Sequence, residues 1–385
     1  MQALLAGLGL AGYANNAPAE EPEVPEAEPE TGEVEPEAAG PLGHDEAVAR
    51  MNEIISDPEH PLAAACLGVI KDHEIYFAEG VGTAHFDEAG DNSGLYNIPY
   101  GHDIVEFFTP GAECYCEGCW APAEEAPGEF FSYCNMNYCL VATIIERVSG
   151  ERFDQYMTNH IYGPMGLTCS FNVPDMDDEA KSHVGTLYRK FDENGEYDPV
   201  NGTWTAQCDD YPVGEPAPDY SDYVIGSNGS LFGPMGSLRV SVTELCKLMQ
   251  MWSTGQGTFN GAQILKPETL DRMFTPVWNY DEAAENGDTY WGLMLSYCMG
   301  PQNFTNTTGG DRLLENQDVP FMGHTAEAYG LLGGLAFDRD KGNGIVYIVA
   351  GTGCDMDTYF GEYSAFYGWE ESLLTVGGEV GAFEY

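Results

Sequence analysis

The stretch LLGGLAFDRDKGNGIVYIVA (331–350) decides the fold. Two short apolar runs, 331–337 and 345–350, flank a turn containing Asp338, Asp340, Gly342 and Gly344, which reads as an antiparallel hairpin. A matching pair stands near the other end, where 64–70 and 74–81 are separated by Lys71, Asp72 and His73. Apolar strands at both ends around a helical middle predict an α+β domain in three layers. One antiparallel sheet is assembled from both ends of the chain, flanked by helices, with a mainly helical insertion between. The aromatic segment 359–374 is expected to form a helix over that sheet.

The middle carries the helical period. Leu140, Ile144, Ile145 and Val148 recur on one face before Gly150, and Phe153, Tyr156, Met157 and Ile161 continue the pattern. Ser241 and Glu244 form a capping box ahead of Leu245, Leu248, Met249 and Trp252, and Pro267, Glu268 and Thr269 open another helix.

Toward the N-terminus the globular pattern stops. Residues 17–44 are an acidic linker in which Glu and Pro alternate, too polar to offset its ordering entropy. Residues 1–16 read as a signal peptide, with an apolar core at 3–14 and small residues at Gly12 and Ala14, although no basic residue precedes it. Tyr13 stands where a lipoprotein leader needs Cys, so no lipid anchor is expected. The domain proper is expected over 45–385, in a secreted or periplasmic protein.

Composition narrows the function. Of 385 residues, 14 are Lys or Arg and 63 Asp or Glu, a formal charge of −49, which excludes a partner with a phosphate backbone. No apolar run is long enough to span a membrane. The 43% hydrophobic content supports a sizeable core. The carboxylate excess suits either a high-salt habitat or an ordinary acidic exported protein. Eleven cysteines suit an oxidising compartment, but an odd number leaves at least one unpaired within the chain.

The stretch FSYCNMNYCLVATIIERVSG (131–150) carries Tyr133 and Asn135 at the start of a helix. With its long context it resembles the serine beta-lactamase-related hydrolases, a family that includes class C beta-lactamases, D-alanyl-D-alanine carboxypeptidases and esterases. The Tyr-x-Asn pattern alone is weak, since Tyr13 and Asn15 repeat it in the leader. Two further stretches agree in order: residues 233–239 leading into the Ser241 helix, and Gly323, His324 and Thr325 with Tyr329 and Gly330. The resemblance implies a beta-lactamase/transpeptidase-like fold and catalytic roles for Tyr133, Asn135 and His324. It also implies substrate binding at Thr325 and Ala326. The family usually has Gly where Ala326 stands, and its methyl is expected to crowd the oxyanion edge.

One family element is missing. The nucleophile of the family lies in Ser-x-x-Lys, and no Ser of this chain has Lys three places later. A segment of several dozen residues is expected to be absent near 91–93. A serine hydroxyl needs an activating neighbour, and its loss costs a serine protease about 10⁶ in turnover. The sequence therefore predicts a hydrolase for amide or ester bonds that is inactive as written, its nucleophile unknown. The alternative is a non-catalytic binding or scaffold protein on the same fold.

Other residues receive plainer readings. Ser93 and Ser132 lack a Lys or His at helical spacing. Cys114, Cys116 and Cys119, with Cys134 and Cys139 nearby, are expected to form disulfides rather than a metal site. His44, His60 and His102 are read as surface residues. Asp338 with Asp340, and Asp175, Asp177 and Asp178, are read as solvated charge rather than Ca²⁺ ligands. Asn201, Asn228, Asn303 and Asn306 begin glycosylation sequons, which matter only in a eukaryotic source. No cofactor or metal is expected, the partner is a small-molecule or peptide substrate, and neither substrate identity nor oligomeric state is legible.

Overall fold

The computed structural model describes residues 41–86, 90–91, 102–115, 125–126, 128–208 and 219–385. The leader, most of the linker, Ser93, Cys116 and Cys119 lie outside them. The first helix among the described residues is α1 (His44–Ile55). The hairpin β1 (Ala64–Lys71) and β2 (Glu74–Gly82) follows. Strands β3 (Trp278–Asn279), β4 (Ser296–Tyr297), β5 (Gln302–Asn303), β6 (Met322–Ala328), β7 (Leu331–Phe337) and β8 (Gly344–Val349) complete an eight-stranded sheet. Its order is β2-β1-β8-β7-β6-β5-β4-β3.

The two ends of the domain meet inside this sheet. β1 runs antiparallel to β8 with Ala65 opposite Val349 and Val69 opposite Ile345, so the hairpins share one sheet as the sequence predicts. Alternation then divides the side chains between two faces. Leu335, Phe337 and Val346 face a helical layer that contains helices α2 (Asn135–Ser149) and α3 (Val242–Ser253). On that side Trp252 stacks on Phe337 with ring centroids 5.9 Å apart. Leu332, Ile345 and Tyr347 face helix α4 (Gly368–Gly381), which packs beside α1 on the other side.

Local chemistry sets the helix ends. In α2 the last turn closes on Gly150, whose φ of +75° suits a residue without Cβ. Ser241 and Glu244 make the capping box of α3. The stretch 153–165 is helical throughout, with a π turn at Thr158–Tyr162.

Three expectations need correction. The C-terminal helix begins at Gly368, not near 359, because the preceding loop is wired to a carboxylate. Glu371 accepts hydrogen bonds from the backbone N–H of Glu362, Tyr363 and Ser364 and from the Ser364 hydroxyl. The mainly helical middle also carries a second small sheet, in which Leu187–Phe191 and Thr203–Cys208 pair with Gly90–Asp91 and Gly351–Thr352. Finally, Cys114, Cys134 and Cys139 carry free thiols rather than disulfides. Asp338 is not solvated either; its buried carboxylate accepts from the backbone N–H of Asp340, Lys341 and Asn343 and organises the β7–β8 turn.

Candidate active site

Two distant segments converge on the helical face of the sheet. Tyr133 sits just ahead of α2, and Asn135 is that helix's first residue. Phe131 fixes this approach: its N–H donates to the Asn286 carbonyl, its own carbonyl accepts from the Asp288 N–H, and its ring stacks on Trp278 at 4.5 Å. The Tyr290 hydroxyl then donates to the Tyr133 carbonyl at 3.0 Å. Tyr290 and its neighbour Trp291 both adopt positive φ, 49° and 58°, a costly backbone for bulky residues.

His324 comes from β6 and is completely buried. Its ring lies 5.6 Å from that of Tyr133, centroid to centroid. Residue alternation places Ala326 on the same face, also buried. Thr325 turns the other way, toward Tyr347, Phe366 and Leu374, around a void of about 10 Å³. The Thr325 side chain therefore faces away from Tyr133, because it sits one residue out of phase with His324.

The hydrogen bonds of His324 define its state. Nδ1 lies 2.6 Å from the Thr325 carbonyl, which only accepts, so Nδ1 carries the proton. Burial holds the ring's pKa down at about 4, so it is neutral at ordinary pH and Nε2 is an acceptor. The Tyr297 hydroxyl, 3.1 Å away, must then donate to Nε2, and the Tyr138 hydroxyl donates to Tyr297 at 2.9 Å. Burial pushes the phenols of Tyr138 and Tyr297 up, so this chain stays protonated. Tyr133 packs at the far end, 5.9 Å from the Tyr138 ring. Burial also pushes the Tyr290 phenol up, to about 12.

Chemically, this cluster can orient hydroxyls and pass a proton along a line of phenols. Among the described residues, His324 is bonded to Tyr297 and Thr325, and Tyr297 to His324 and Tyr138, so no serine hydroxyl touches the imidazole. Ser132 is exposed beside the cluster, and Ser93 lies outside the described residues, as does the chain just beyond Asp91 where a segment is expected to be missing. Tyr138, Tyr290 and Tyr297 were not singled out from the sequence. Tyr138 lies within the 131–150 stretch and shares a helix face with Asn135, a spacing that points to it; Tyr297 occupies a two-residue strand without any pattern.

Comparison with known proteins names the family of this three-layer domain. Residues 120–360 match the family model described as Beta-lactamase, and the chain belongs to that family. A D-aminopeptidase of Brucella anthropi is 32% identical over 68 residues, a match covering 17% of this chain and 13% of that relative. The D-amino acid amidase of Ochrobactrum anthropi SV3, solved with L-phenylalanine amide, superposes with a TM-score of 0.51 at 14% identity. That superposition covers 87% of this chain and 98% of the amidase, a likeness of fold. An octameric penicillin-binding protein homologue from Pyrococcus abyssi is 17% identical, with a TM-score of 0.46 and coverage of 79% and 72%.

Proposed function

We propose that this chain is a hydrolase-family protein shaped for amide or ester bonds that lacks, as written, the group that attacks them. The observation that carries this reading is sequence-wide: none of its serines is followed three residues later by Lys. The cluster around His324 supports it, since a neutral, fully buried imidazole already bonded at both nitrogens has no position left for activating a hydroxyl. Names of the relatives point to D-amino-acid amides as the substrate class to try first. An exported location, from the leader at 1–16, is part of the same proposal.

The test is direct. Purified protein is incubated with D-phenylalanine amide, a chromogenic cephalosporin and a fluorophosphonate probe, and its intact mass is measured. No turnover and no adduct are expected, consistent with the roughly 10⁶-fold cost of losing such a nucleophile. A covalent adduct mapped to any serine would overturn the proposal, with Ser93 and Ser132 the first positions to inspect.

A further inference from the structure

We propose that His102, Glu106 and Cys114 form a binding site for Zn²⁺, placed well before the Tyr133 helix in sequence. A ring nitrogen of His102, a carboxylate oxygen of Glu106 and Sγ of Cys114 all lie within 4.8 Å of one another. Zinc takes nitrogen at about 2.0 Å and thiolate at about 2.3 Å, which places ligand atoms of a tetrahedral site roughly 3–4 Å apart. To meet that geometry the Cys114 sulfur closes on the pair by roughly 1–2 Å at most, while His102 Nδ1 and Glu106 Oε2, 2.7 Å apart, open slightly.

The backbone holds them in this arrangement. The 3₁₀ helix Ile104–Phe108 is capped by Asp103, whose own N–H contacts Glu106 Oε1, while Glu106 Oε2 lies 2.7 Å from His102 Nδ1. Both carboxylate oxygens are thereby oriented. The chain then reverses at Thr109-Pro110-Gly111-Ala112, where the Ala112 N–H donates to the Thr109 carbonyl and Gly111 has φ +83°, a turn that suits Pro followed by Gly. This reversal brings Cys114 back over His102 and Glu106. The platform is tied to the domain, with the Ile104 N–H bonded to the Ser227 carbonyl and the buried Asn228 side chain donating to the His102 carbonyl.

A surface His–Glu pair four residues apart is ordinary and needs no metal. The thiol is what such a pair leaves unexplained. Its sulfur joins the His102 ring nitrogen and the Glu106 carboxylate oxygen in one cluster. A carboxylate, an imidazole and a thiol around one point are reconciled by a divalent cation, which binds the thiolate. Nitrogen, oxygen and sulfur together favour zinc over calcium or magnesium, and three protein ligands leave one position for water or an exogenous group.

Cobalt substitution tests this on the whole chain. Co²⁺ is expected to bind with one ion per chain and give a sulfur-to-cobalt charge-transfer band that Zn²⁺ bleaches. Cys114→Ser should abolish the band, and His102→Gln and Glu106→Gln should each weaken binding at least tenfold with the far-ultraviolet circular dichroism of the metal-free protein unchanged. Calorimetry in two buffers of different ionisation enthalpy should show proton release on Zn²⁺ binding, from the Cys114 thiol. Absence of the band, or a band that survives Cys114→Ser or His102→Gln, overturns the site. Should Cys114→Ser fail to fold, the two glutamine variants decide alone.

Discussion

The two faces of the central sheet each bury a titratable side chain, and burial shifts them in opposite directions. On the helical face His324 is held to a pKa of about 4. On the α4 face Glu370 is pushed up to about 7, mainly by burial, although the Tyr347 hydroxyl donating to it at 2.6 Å works against the shift. Both therefore sit uncharged over much of the acidic range, one by giving up a proton and the other by keeping it. They differ in use: His324 terminates a line of phenols beside a family motif, whereas Glu370 also accepts from the Tyr367 N–H and fixes the start of a helix. A perturbed pKa is thus not by itself a sign of catalysis, and the neighbours decide.

The largest expected effect comes from the α4 face. Glu371→Ala strands four donors of the preceding loop, the two on Ser364 buried and the other two partly so, and should cost about 3 kcal/mol or more in urea denaturation, because buried donors left unpaired carry their full desolvation cost. A loss under about 1 kcal/mol would mean that water replaces the carboxylate and that this face tolerates polar vacancies.

The pH dependence sharpens the contrast. For His324 the unfolded chain, with a value near 6.5, binds more protons than the folded one between about 4 and 6.5, so its contribution to stability falls as pH falls through that window. Glu370 has the reverse sign: the folded form binds more protons between 4.5 and about 7, so stability falls as pH rises. Each shift corresponds to something on the order of 3 kcal/mol, and the two oppose each other across 4.5–6.5. Thermal melts should show the His324→Gln protein losing stability as pH rises through this range and the Glu370→Gln protein gaining it, with the parent flatter than either. Parallel slopes in the two variants would break the comparison.

Tyr297→Phe removes both the donor to His324 and the acceptor for Tyr138, and should cost roughly 1–3 kcal/mol by chemical denaturation. Ser241→Ala touches neither buried cluster and removes only the cap of α3, worth about 1 kcal/mol in the same measurement.

The sheet was legible because its signals are local and redundant. Each hairpin announces itself by apolar runs around a polar turn, although the bulge that shifts the first hairpin's register between Val69 and Ile70 has no sequence signal. Tyr133, Asn135 and His324 were found through a family pattern, and the sequence places them in order without saying how deep they lie. His324 emerges fully buried because Tyr297 covers it, and nothing about a two-residue strand advertises that. Thr325 follows His324 directly in the motif, and strand alternation turns its side chain to the opposite face. The late start of α4 was illegible for a similar reason: the Glu371 carboxylate that stops the loop from coiling acts from within the helix itself.

The pairing of β1 with β8 has a consequence for how the chain reaches its native state. Ala65 and Val349 face each other although they stand 284 positions apart in sequence (349 minus 65), and closing a loop of that length costs about 5 kcal/mol of chain entropy before any side chain is buried. Each of the two strands lies in the interior of the sheet, so neither can form its native ladder without the other. During synthesis the first hairpin emerges early and must wait, with one ladder edge open, until residues 344–349 have left the ribosome. Folding of the sheet should therefore be late and slow, and β1 is the strand most exposed to mispairing in the interval.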